Sequence, residues 1–132
     1  MEMTRAKSET ALAWLTLASA VVHFSGETYY TVKFGQPVLS LLPDYFSNTL
    51  MLLGSWRSLN ARPGTGAGAL AAAWGFAFCL AYVATFGRVQ RMLDGAAPWR
   101  GEPTIVLTVL SVAFAVAAAI FAWSLWLAYR TK

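Results

Sequence analysis

Three ionisable side chains interrupt otherwise apolar stretches of this chain: His23, Glu27 and Asp44. His23 and Glu27 are four residues apart, so a helix carries both on one face, one turn apart. Asp44 and Asn48 repeat that spacing further along. A carboxylate beside an imidazole, in partly buried surroundings, can exchange a proton near neutral pH. This chemistry suits isomerisation or protonation of a lipid-like or isoprenoid substrate, with His23, Glu27 and Asp44 as the catalytic groups. Asn48, Tyr82, Arg88 and Thr108 are the candidate ligand-binding groups, Arg88 being able to grip a lipid phosphate. The same residues have a structural reading. Pro43 fits the first turn of a helix, where Asp44 is stabilised by the helix dipole. Glu27 then pairs with Lys33 or Arg88, and His23 bonds to Glu27.

Other chemistries are excluded or expected to be absent. With one histidine, a haem held by two histidines is impossible, and with the single Cys79 so is an internal disulfide or a CxxC pair. The glycine-rich run at residues 64–68 has no preceding strand and no Walker lysine, so it reads as a turn. No Ser-His-Asp spacing, GxSxG or HExxH occurs. His23, Glu27, Asp44 and Asn48 offer donor types that a hard or borderline metal takes. One histidine without a second cluster leads us to expect no metal site. No particular cofactor is indicated.

The elements that must position these groups follow from composition. Of 132 residues, 58% are hydrophobic and 12% charged, against roughly 25% charged in an ordinary soluble domain. The mean hydropathy is +0.53. The apolar residues fall in four blocks near the length needed to cross a bilayer, at about 10–30, 38–59, 67–87 and 104–129. The expected fold is therefore all-α: a single-domain integral membrane four-helix bundle, multi-pass, in a bacterial-type inner membrane or its equivalent. The first block also has the pattern of a signal peptide, with Ala18-Ser19-Ala20 as a small-residue cleavage site, and is read as a retained span. Six basic residues flank the sides bearing the termini and four the opposite side, which favours both termini in the cytoplasm. The net charge of +4 sits between and beyond the apolar blocks, so it reads as headgroup anchoring and not as nucleic-acid binding.

Ala69, Ala73, Ala77 and Ala81 on the third block, and Ala113 and Ala117 on the fourth, allow helices to approach closely. Thr16, Ser19, His23 and Glu27 make one polar stripe. Ser40, Asp44, Ser47, Asn48, Met51 and Ser55 make another. With antiparallel spans, most polar groups lie toward the first and third loops, describing a vestibule on the non-cytoplasmic side and a drier inner half.

Gly35–Pro37, Gly54–Trp56 and Glu102–Ile105 resemble short fragments of the four-span scaffold proteins of ergosterol biosynthesis. The polar residues marking that family's third span are missing here, and no residue or activity is carried over. Small multidrug transporters share four spans and an essential glutamate in the first, but Glu27 sits near the end of its span. The expected function is thus a small accessory or scaffold subunit of a membrane protein complex, whose vestibule holds a lipid or hydrophobic cofactor. Its expected partners are membrane lipid and another membrane protein subunit or a second copy. The alternatives are the acid–base enzyme above and a small proton-coupled exporter.

Overall fold

The structure, a computed structural model, describes residues 2–35, 37–60, 65–97 and 104–129. Among them are four helices and no strand: α1 (Glu2–Phe34), α2 (Leu42–Asn60), α3 (Ala67–Leu93) and α4 (Ile105–Tyr129), with a single 3-10 turn at Val38–Leu41 ahead of α2. Two of these, α3 and α4, are long and apolar enough to cross a membrane. In α1 and α2 the polar stripes dilute the apolar character, and neither qualifies alone.

Local chemistry explains the boundaries. At 33 residues, α1 is about 50 Å long, and it outruns the block at 10–30 in both directions. It stops where Gly35 takes a positive φ of 64° and its N–H bonds to the Thr31 carbonyl at 2.8 Å, a glycine cap open to a residue without Cβ. Extended Pro37 then leads into the 3-10 turn, whose Ser40 N–H and hydroxyl both donate to the Pro37 carbonyl. Residues 25–42 are therefore mostly helix, with one sharp reversal. α2 starts at Leu42, which places Pro43 and Asp44 in its first turn. α3 runs six residues beyond Gly87 and ends in a Schellman cap: Gly95 has φ 69°, and the Ala96 N–H reaches the Arg91 carbonyl.

Neighbouring helices run antiparallel. His23 of α1 meets Asp44 of α2, Gly54 of α2 lies against Ala69 of α3, and Thr85 of α3 donates to the Leu110 carbonyl of α4. α1 also reaches α3 directly, through the Trp74 indole N–H donating to Thr16 Oγ1 at 2.8 Å.

Burial is concentrated at one end. Leu12, Ala13, Ala20, Met51, Ala67, Leu70, Ala73, Trp74, Ala117, Ile120 and Leu127 form one core. They run from near the start to the middle of α1 and α3 and from the middle to the end of α2 and α4. At the opposite end nothing after Ala20 in α1 or before Ala117 in α4 is buried, α3 contributes only Thr85 beyond Trp74, and the buried residues there are otherwise Leu41, Ser47 and Asn48, in and just ahead of α2. What joins α3 to α4 there is aromatic: Phe114 lies within 5.2–6.1 Å, centroid to centroid, of Phe78, Tyr82 and Phe86.

The closed end is not dry in composition. It buries Glu9, Thr16, Ser55, Ser58 and Ser124, so the expectation of a drier half is corrected to a tightly packed one. The alanine stripe of α3 faces inward, with Ala73 fully buried, whereas Ala113 on α4 is exposed and only Ala117 packs inside.

Candidate functional site

The site lies between α1 and α2 at the open end. Helical spacing stacks His23 beneath Glu27 on α1 and Asp44 above Asn48 on α2, and the antiparallel pairing brings the two stacks face to face. His23 Nε2 stands 3.5 Å from Asp44 Oδ1 and 3.9 Å from Glu27 Oε1. One ligand atom from each of the three residues falls within 4.8 Å of the others. Both His23 distances exceed the 2.7–3.2 Å range of a well-formed N–H···O hydrogen bond, and the contacts become ion pairs only when His23 is protonated. The three side chains are 31%, 27% and 19% exposed, in the order His23, Glu27, Asp44. They form a mostly covered cluster that keeps some access to the outside.

Asn48 completes the arrangement one turn deeper. It is 5% exposed and close enough to His23 to bear on its charge, yet neither its Nδ2 nor its Oδ1 has a hydrogen-bond partner. A buried amide with both polar atoms unsatisfied costs roughly 1–3 kcal/mol for each group left unmade. Phe24 and Tyr45 flank the cluster, their rings 5.4 Å apart.

The remaining candidates assemble only in part. Arg88 is within Coulombic range of Glu27 and donates to the Ala84 carbonyl of its own helix. Lys33 turns to the Tyr29 hydroxyl and not to Glu27. Tyr82 is half exposed, its ring on Phe86 and Phe114, and Thr108 is exposed on α4. Neither makes a hydrogen bond to the cluster. Which face of α3 and α4 turns inward here is set by the aromatic ladder, so Tyr82 and Thr108 are left on the outside of the group that Asn48 joins.

Sequence reasoning missed Glu9. It is 2% exposed, and its Oε1 accepts the Gly66 N–H at 2.9 Å across the closed end. The signal was present: Glu9, Leu12, Ala13, Thr16 and Ala20 recur at the spacing of one helical face. The stripe is visible once α1 is begun before the apolar block.

No protein-family model, curated protein or solved structure matches the chain. The functional reading therefore rests on the geometry itself.

Proposed function

We propose that the protein is a four-span integral membrane protein acting as an accessory or scaffold subunit of a membrane protein complex, with a lipid-like molecule held at its open end. The carrying observation is α4. It is the more apolar of the two helices long enough to span, yet only 11% of its most apolar window is buried within the molecule. Ser111, Ala115, Ala119, Ala122 and Trp126 are all exposed along one face. In a bilayer such a small-residue face lets a second helix approach closely.

Support for the membrane setting comes from an inverted distribution. Trp14, Leu15, Val21, Val22 and Phe24 of α1 and Leu52, Leu53 and Trp56 of α2 point outward. Thr16, Ser47, Asn48, Ser55 and Ser58 point inward. Water would penalise that surface. Lipid would not, and paired spans can shelter their polar stripes from lipid by facing each other.

The test is native mass spectrometry of the protein gently extracted from its own membrane. A stoichiometric second subunit, lost in Ala119→Leu while the helical signal persists, is the expected result. A bare monomer, or release from the membrane by alkaline carbonate, overturns the reading. Ala73→Leu is not a test of partner packing, because Ala73 is sealed in the core and its enlargement reads on folding alone.

One observation favours a second reading. His23 stands between two carboxylates on an open side, an arrangement suited to acid–base chemistry on a lipid-like or isoprenoid substrate. For that reading His23→Gln abolishes turnover in a folded protein. For the subunit reading, complex formation survives His23→Gln.

A further inference from the structure

We infer that His23, Glu27, Asp44 and Asn48 form a binding site for one divalent first-row transition-metal ion, of which zinc is the reference probe. The argument begins with spacing. A tetrahedral ion with bonds of about 2.0–2.1 Å sets its ligand atoms about 3.4 Å apart. The His23 Nε2 contacts at 3.5 and 3.9 Å are long for hydrogen bonds and close to that edge. Small rotations of these partly exposed side chains cover the difference. The three donors come from two helices already packed together, so little ordering remains to be done on binding.

The second observation is Asn48, which is nine-tenths buried, next to His23, and unsatisfied at both polar atoms. Its Oδ1 supplies a fourth donor of a type that such an ion accepts. Deep placement puts it beneath the three outer ligands, leaving the open side for water or an exogenous group.

Charge and donor type then narrow the occupant. Two carboxylates and a divalent cation sum to zero, which removes the penalty for holding two anions in poorly solvated surroundings. One imidazole nitrogen with oxygen donors suits zinc, manganese or ferrous iron. Copper(I) would want thiolate or thioether, and Cys79 is exposed on α3. Magnesium favours oxygen donors and retained water. Arg88, in Coulombic range of Glu27, opposes the cation and sets a limit on affinity. The inference stands whether or not the chain is a complex subunit.

The protein carries one histidine, so a histidine-selective acylating reagent reports on His23 alone when no polyhistidine tag is present. The experiment uses the full chain in detergent, stripped with a chelator and titrated with Zn2+ by calorimetry, with Co2+ absorption as a second probe. Expected are one ion per chain, protection of His23 from acylation by Zn2+, and a visible Co2+ band of low-symmetry coordination. His23→Gln and Glu27→Gln, which keep side-chain bulk, are each expected to weaken Zn2+ binding at least about tenfold, the scale on which even outer partners of a metal site act. Asp94→Asn, at an exposed helix end, leaves it unchanged. Absence of stoichiometric binding to the wild-type chain, His23 acylated equally with and without Zn2+, or unchanged affinity in a folded His23→Gln protein overturns the inference. If a variant does not fold, the acylation result on the wild-type chain decides.

Discussion

The two ends of the bundle handle carboxylates in opposite ways. At the closed end Glu9 is sealed in and satisfied by a backbone N–H from the segment leading into α3. At the open end Glu27 and Asp44 stand 3.9 and 3.5 Å from His23 Nε2, each carboxylate still partly exposed. Both are acids in a largely apolar chain. Only the first is explained by the fold it supports, since removing it would orphan a donor across two elements. Around the second, α1 and α2 also meet through the tilted Phe24–Tyr45 ring pair and the buried face of α2. A buried, hydrogen-bonded acid reads as structure, and a partly exposed pair of acids around an imidazole reads as a candidate site.

The largest effect expected from this difference lies in packing. Leu70 is fully buried in the core of the closed end, whereas Val83 on the same helix is exposed. Leu70→Ala should cost about 2–5 kcal/mol, the range for a large-to-small change that leaves a cavity. Val83→Ala should stay within about 0.5 kcal/mol. Thermal unfolding of the detergent-solubilised chain measures both. Equal losses would mean that the open end is packed after all.

Glycines give the next step down. A Cβ on Gly66 would fall 2.5 Å from the Ser58 Cα and closer still to its Oγ, while one on Gly26 meets nothing within 4 Å. Gly66→Ala therefore forces the α2–α3 junction apart and is expected to cost about 1–3 kcal/mol. Gly26→Ala, in mid-helix, is expected to stabilise by roughly 0.5–1 kcal/mol. Opposite signs from one chemical change would locate the tight end without any structural assumption, and equal signs would break the contrast.

How much of this was legible in the sequence differs between elements. α3 and α4 were plain, because long apolar runs bounded by Gly- and Pro-rich turns leave few other conformations. The length of α1 was not, since its first turns carry Glu2, Arg5, Lys7 and Glu9, and helix formation needs no apolar residue there. The reversal at Gly35 and the 3-10 turn depend on single backbone hydrogen bonds that composition does not encode. For the site, the four-residue spacing revealed His23–Glu27 and Asp44–Asn48 as pairs. Their meeting depends on the register of α1 against α2, which spacing along one helix cannot supply. Depth alone groups Tyr82 and Thr108 with them, and depth does not say which face of a helix turns inward. The serines of the closed end are hard to place for a related reason: Ser55 and Ser58 are small enough to pack like alanine, and only burial shows that they do.

The smallest effect is the sharpest discriminator, because it compares two residues of one type on one helix. Glu9→Ala removes the acceptor for a buried Gly66 N–H and is expected to cost about 1–3 kcal/mol, the desolvation penalty of an orphaned donor. Glu27→Ala removes an acid that is attracted to His23 at 3.9 Å and to Arg88, and repelled by Asp44. These contributions oppose one another and are screened by the open side, so the net change is expected to be under about 1 kcal/mol, as for partly exposed ion pairs generally. Saturating Zn2+ then separates the two positions a second time. A ligand that binds only the folded state adds about 2.7 kcal/mol at a hundred times its dissociation constant. The wild-type and Glu9→Ala proteins should both gain melting temperature on adding the ion, and Glu27→Ala should gain much less. A Glu27→Ala protein that is as unstable as Glu9→Ala, and equally rescued by Zn2+, would make the open-end acid a structural group like its counterpart and erase the distinction between the ends.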